Sequence, residues 1–245
     1  MINKLFNYEG IFMSARFLFD RKKFNEQGVV HLPAFFKGEF LSGIQADIHA
    51  LIDDQSKMVD RTNSEHFFKK YQSTSYCFVN KLGEFDYLAK LAGDPLLKLL
   101  LQEIFPAGHE FHLSLVQHNK ASEGQAIPWH QDVHHEKVKA GEMYNFLIYP
   151  FDIDEDSGAL HYVPGSHVAG RLPIGEPHDP IPGTVKIAPK AGDLIICDCL
   201  TFHRVNHNFT NKDRTSINLR FRSAALDPSL TSIGVYRNGQ VNYAG

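Results

Sequence analysis

The chain has 245 residues, 43% of them hydrophobic and 22% charged, a balance that excludes a disordered or fibrous protein and is sufficient for one large core. A formal charge of −3, a pI near 6.5 and no run of five like charges give no basic field for gripping a phosphate backbone, so nucleic acid is not an expected partner. Three cysteines, Cys77, Cys197 and Cys199, with no CxxC spacing argue against both a disulfide framework and a thiolate zinc site, and point to a reducing, cytoplasmic setting.

The N-terminal stretch MINKLFNYEGIFMSARFLFDRKK has scattered charges and no apolar run long enough for a signal peptide or a membrane span, although IFMSARFLF leaves contact with a membrane surface as an alternative. FDRKKFNEQGVVHLPAFF then reads as a short helix, a stop at Gly28, a strand over 29–32 and a break at Pro33. Over 37–54 the apolar residues Phe40, Leu41, Ile44, Ile48, Leu51 and Ile52 keep helical spacing and form one buried stripe. Residues 55–81 show no period. The stretch 85–105 predicts two helical pieces, the second opening on Asp94 as cap and Pro95 at the first helical position.

From Phe111 the texture changes. FHLSLVQH alternates apolar and polar residues, and strands are expected near 111–119, 129–134, 143–151, 158–163, 184–187, 193–198, 202–207 and 215–223. Short strands following gathered helices predict a mainly β protein with flanking helices, a cupin-like double-stranded β-helix or jelly roll. A single domain over 1–245 is expected, with a helical layer about 17–105 and a β-core about 111–223. Within the β-core, 164–183 holds five prolines and four glycines and predicts a long loop, a candidate pocket wall.

The densest chemistry lies in PWHQDVHH, residues 128–135. On a strand, His130 and Asp132 leave the same face and can reach one ion. GDLIICDCLTFH supplies a third ligand, His203. Two imidazoles and one carboxylate form a facial triad with three open positions, suited to Fe(II) that must also hold a co-substrate and oxygen.

These motifs, with FNEQGVVHLPAFF near the start, SGALHYVPGSH and GDLIICDCLTFHRVNHNFTNKDRTSINLRFR, resemble the phytanoyl-CoA dioxygenase family of Fe(II)- and 2-oxoglutarate-dependent oxygenases over roughly residues 17–223. The resemblance implies a catalytic metal set of His130, Asp132 and His203. It also implies an arginine eleven residues after the distal histidine, here Arg214, that receives the far carboxylate of 2-oxoglutarate. Guanidinium suits that task because its planar fork pairs with both carboxylate oxygens. Arg220 and Arg222 on the same strand are rivals only if the register differs. Gln117 and Asn145 are further candidates for cosubstrate contact. Leu147 and Val205 stand where relatives often carry tryptophan and serine, which leaves the finer cosubstrate contacts open.

The implied cofactors are Fe(II), 2-oxoglutarate as co-substrate and O2, and the implied reaction is hydroxylation of a small molecule with release of succinate and CO2. A carboxylate at Asp132 argues against halogenation, for which relatives place a small residue there. The expected partner is a carboxylic acid, amino acid or natural-product intermediate, lined by 60–80, the 164–183 loop and the chain after 223, with Arg171 and His178 available to an anionic group. The protein itself is expected as a monomer or homodimer. Alternatives are a jelly-roll metal-binding module without turnover and a cupin-like isomerase or zinc hydrolase; neither requires Arg214 beside the metal.

The remaining polar residues have plainer readings. His134 shares the expected strand face with His130, His135 does not, and both read as bystanders. His167 is expected to bond the VPGS turn, DIDEDSG to be a solvated turn rather than a calcium loop, and Trp129 to pack behind the metal.

Overall fold

The computed structural model describes residues 19–54, 59–60, 76–122, 125–170, 178–227, 229, 234–237 and 240–243. Helix α1 (Arg21–Gln27) begins where the Asp20 side chain accepts from Lys23 N at 3.0 Å. It ends at Gly28, whose φ of +75° is the left-handed conformation that glycine takes without steric cost. Helix α2 (Gly38–Asp53) buries Ile44, Ile48 and Leu51, one stripe at helical spacing. Helix α3 (Pro95–Ile104) is capped by Asp94, which accepts from Leu97 N at 2.9 Å, with Pro95 in its first turn. The first helical piece expected within 85–105 forms a 3-10 turn over Leu88–Gly93, and another 3-10 turn, Leu82–Glu84, precedes it.

The strands are β1 (Val29–Leu32), β2 (Val59–Asp60), β3 (Tyr76–Val79), β4 (His109–Asn119), β5 (Gln125–His130), β6 (Met143–Ile148) and β7 (Leu160–Tyr162). They continue with β8 (Val185–Ile187), β9 (Leu194–Asp198), β10 (His203–Asn208), β11 (Arg214–Ser223), β12 (Gly234–Arg237) and β13 (Gln240–Tyr243). One sheet has seven strands in the order β1-β9-β6-β11-β4-β3-β2, a second has four in the order β5-β10-β7-β8, and β12 and β13 form a hairpin. The two larger sheets are the antiparallel layers of a jelly roll.

The seven-stranded sheet separates two kinds of surface, because side chains alternate across a strand. One face carries Val116, Phe146, Ile148, Leu194, Ile196, Ile217 and Leu219 into a core shared with Ile44 and Ile48 of α2 and Leu97, Leu100 and Leu101 of α3. Each such fully buried side chain contributes about 1.5–3 kcal/mol relative to exposure. The opposite face looks toward the four-stranded sheet. There Tyr149, Ile195 and Cys197 pack with Leu160 and Tyr162, and β11 presents Arg214, Ser216, Asn218 and Arg220 at alternate positions, all buried.

Two expectations need correction. The strand expected over 129–134 runs instead over Gln125–His130, on the edge of its sheet, where Pro128 is tolerated for want of a ladder hydrogen bond. Past His130 the chain bends, and Asp132 N donates to Cys199 O at 2.8 Å. The aperiodic stretch before residue 81 contributes β3 beside β4; Cys77 and Phe78 are both buried, so the strand has no alternation to detect. Among the described residues no helix is long and apolar enough to cross a membrane.

Candidate metal centre

His130 closes β5, His203 opens β10, and the two are direct partners in the antiparallel register, which sets their rings 4.1 Å apart. Asp132 comes from the bend rather than from a strand face. Its Oδ1 lies 3.5 Å from His130 Nε2 and its Oδ2 3.7 Å from His203 Nε2. One ligand atom from each residue falls within 4.8 Å of the others, and all three side chains are buried. Among the described residues this is the one group of three or more metal-ligating side chains so arranged.

Both imidazoles are oriented by their own backbone. His130 Nδ1 donates to Pro128 O at 2.8 Å and His203 Nδ1 to Thr201 O at 2.9 Å, in each case two residues back along the chain. A carbonyl can only accept, so each Nδ1 carries the hydrogen and each Nε2 is turned toward the centre, the arrangement of metal-binding histidines. Burial, then the neighbouring His130 ring, push the His203 pKa down to about 4, which keeps its imidazole neutral at physiological pH. Burial alone would raise the Asp132 pKa, but the Arg220 guanidinium first, then His203 and His130, hold it well below the ordinary carboxylate range. The donor set fits a divalent transition metal.

Asn145 and Arg220 surround the carboxylate. Asn145 Nδ2 donates to Asp132 Oδ2, and Arg220 Nη2 lies 3.1 Å from the same oxygen. Asn145 Oδ1 in turn accepts from Arg220 Nε at 2.8 Å and from Asn218 Nδ2 at 2.9 Å. Asn145, expected near the cosubstrate, is thus placed directly against the Asp132 carboxylate.

Arg214 occupies the same face of β11 six residues away. Its Nε donates to Gly158 O at 3.0 Å and its Nη1 to Ser216 Oγ at 2.9 Å. Gly158, at φ +95°, permits this approach: a Cβ there would stand 3.1 Å from Arg214 Cδ. The guanidinium is 1% exposed and pairs with no carboxylate among the described residues, and burial lowers its pKa. Polar donors on this face are also unsatisfied: the Tyr149 hydroxyl, Arg220 Nη1 and Gln117 Nε2 are buried without a hydrogen-bond partner. Gln117 lies across from Ser216 on β4. Buried polar groups are rarely left so, and a guest with a carboxylate fits this lining.

Residues 24–216 match the phytanoyl-CoA dioxygenase (PhyH) family. The chain belongs to that family. L-proline trans-4-hydroxylase of Streptomyces griseoviridis is 34% identical over 86 residues, which span 34% of this chain and 32% of that protein, so the aligned part is about a third of the relative's length. Among solved structures, the non-haem α-ketoglutarate-dependent carbocyclase SnoK from nogalamycin biosynthesis superposes with a TM-score of 0.71 at 17% identity, covering 92% of this chain and 88% of the other. The epimerase SnoN, solved with Fe3+, α-ketoglutarate and nogalamycin RO, gives 0.68 at 18% identity, covering 89% and 88%. EctD from S. alaskensis, solved with 2-oxoglutarate and 5-hydroxyectoine, gives 0.67 at 20% identity, covering 84% and 76%. These likenesses establish the family fold.

Within that fold the other candidates separate. His134 and His135 lie past the strand with their rings stacked at 5.1 Å and 9°, so the expected sharing of a strand face by His134 does not arise. His167 Nε2 donates to Asn25 O at 3.0 Å, tying the 164–170 turn to α1. Trp129 Nε1 donates to Asp179 O at 2.7 Å and carries the Arg204 guanidinium 5.0 Å above its ring, while its side chain packs with Phe202. Asp154 pairs with Lys190 and Lys212, and Glu155 with Lys186, so DIDEDSG is a solvated turn. His178 offers its carbonyl to Arg204 Nη1 at 2.6 Å; Arg171 and residues 61–75 lie outside the described residues.

Gln131, between His130 and Asp132, carried no signal in the sequence. It is fully buried and donates from Nε2 to Gly170 O at 2.8 Å and Leu200 O at 2.7 Å, joining the metal bend to the long loop and to the turn before His203. The pairing of Arg220 with Asp132 was equally hidden.

Proposed function

We propose that the protein is an Fe(II)- and 2-oxoglutarate-dependent dioxygenase that hydroxylates a small molecule, releasing succinate and CO2. The convergence of His130, Asp132 and His203 within 4.8 Å, with both Nε2 atoms turned inward, carries this reading. His130, Asp132 and His203 would hold the metal. Arg214 would take the far carboxylate of 2-oxoglutarate, with the Tyr149 hydroxyl and Gln117 Nε2 as unsatisfied groups nearby. The bound metal, co-substrate and oxygen supply the oxidation of a C–H bond.

The protein's own residues orient and exclude. His130 and His203 stay aimed because their Nδ1 hydrogens are engaged. Burial of the centre keeps bulk water from the reacting atoms and strengthens each polar contact inside it. An isomerase or hydrolase has no use for a buried guanidinium without an acid partner, and Arg214 therefore favours the oxygenase. The relative that hydroxylates L-proline supports a carboxylic acid, amino acid or comparable small molecule as substrate. Three free, buried cysteines suit a reducing, cytoplasmic setting.

Anaerobic addition of Fe(II) and then 2-oxoglutarate tests the reading. A weak visible charge-transfer band is expected on adding the keto acid; a protein with iron demonstrably bound and no such band would overturn it. A succinate-release assay over a metabolite panel then identifies the substrate.

A further inference from the structure

Asp132 is held by more than its place beside two histidines. Its Oδ2 receives two donors, one from β6 and one from β11: Asn145 Nδ2 and Arg220 Nη2, the latter at 3.1 Å. Oδ1, facing His130 Nε2 at 3.5 Å, receives neither. The two donors are linked to each other. Arg220 Nε can only donate, so the Asn145 oxygen it meets at 2.8 Å must be the carbonyl, and the amide NH2 is thereby turned onto Asp132. Asn218 Nδ2 holds the same carbonyl at 2.9 Å. Arg220 therefore acts on Oδ2 twice, once directly and once by fixing the amide of Asn145.

We infer that Arg220 is a positioning residue that confines Asp132 to a single ligand oxygen, Oδ1, and so preserves a coordination position that a two-oxygen carboxylate would occupy. The inference rests on the assignment of His130, Asp132 and His203 as the metal ligands. A carboxylate that has both oxygens available binds a divalent ion through one or both. With two donors on Oδ2, one of them charged, a second bond to the metal would have to displace a charge-assisted hydrogen bond in a buried site. Three protein ligands leave three of six positions open. A chelating Asp132 leaves two, too few for a two-point co-substrate and oxygen together. The placement also accounts for a buried arginine beside a cation site: it neutralises the one carboxylate and meets the metal only through it.

Water-proton relaxation of the Mn(II)-loaded protein, without co-substrate, counts the open positions. The wild type is expected to carry three exchangeable waters on Mn(II). Arg220→Gln is expected to carry two, a fall in inner-sphere relaxivity of about a third for six-coordinate Mn(II). Arg220→Lys, which returns a charge to Oδ2, is expected to restore most of the loss. A wild type with two waters overturns the inference even if the glutamine variant does not fold, and a glutamine variant that binds Mn(II) with unchanged relaxivity overturns it as well. A wild type that binds no Mn(II) overturns the ligand assignment itself, a result distinct from both.

Discussion

The guanidinium of Arg214 lies 5.7 Å over the ring centre of Tyr149; Arg214 donates to Gly158 O and Ser216 Oγ but has no carboxylate partner among the described residues, and the Tyr149 hydroxyl has no hydrogen-bond partner. A dianionic guest would supply both. Replacing Arg214 by Ala should therefore raise the 2-oxoglutarate requirement at least tenfold, in line with a charge-assisted bond of roughly 1.5–3 kcal/mol. Titration of the charge-transfer band measures it directly. An unchanged requirement would move the anchor to another arginine of β11.

Two histidines outside the metal set make the metal-free protein acid-sensitive. Burial, then Arg204 and Lys186 against a small opposing pull from Glu155, lower the His161 pKa to about 4; burial, then Arg220 and Arg222, do the same for His112. Each stays neutral in the folded state while the unfolded chain takes up a proton near pH 6.5. At these two sites the unfolded state then binds more protons, so the stability they contribute is lost as pH falls from about 6.5 to about 4 and is regained as it rises, while Asp198, raised by burial to about 7, acts in the opposite sense. Urea midpoints against pH should show this slope, and His161→Asn should flatten part of it. A slope that is identical in the variant would remove His161 from the account.

Gln131 should prove a strap rather than a ligand. Gln131→Ala deletes two buried hydrogen bonds and leaves the Gly170 and Leu200 carbonyls without those donors, a cost of about 1–3 kcal/mol for each group so stranded. Hydrogen exchange is expected to quicken over 164–170 and 199–203 while Mn(II) still binds. Exchange that is unchanged in both segments would show that the strap carries no strain between them.

The sequence made much of this architecture legible, for physical reasons that differ by element. Asp94-Pro95 and Gly28 marked helix ends because capping is local chemistry, and both occur as expected. His130 and His203 stood out through composition and through the resemblance of their motifs. Asp132 was named for a reason that does not hold: period-two spacing on a strand, where the chain in fact bends and the carboxylate is aimed by Asn145 and Arg220. Those contacts depend on the register of β11 against β6, in which Arg220 faces Asn145. Residues seventy-five apart in the chain carry no local signal of that pairing. Gln131 was invisible for the same reason, since its partners lie on two distant turns.

The two faces of the seven-stranded sheet answer to different demands. Apolar packing against α2 and α3 lies on one side, and the polar row of β11 with its arginines lies on the other. A lineage can therefore revise the chemistry of the row without disturbing the packing that keeps the chain folded. Mutations drawn from one face and from the other should combine nearly independently, so that new specificity is reachable through folded intermediates.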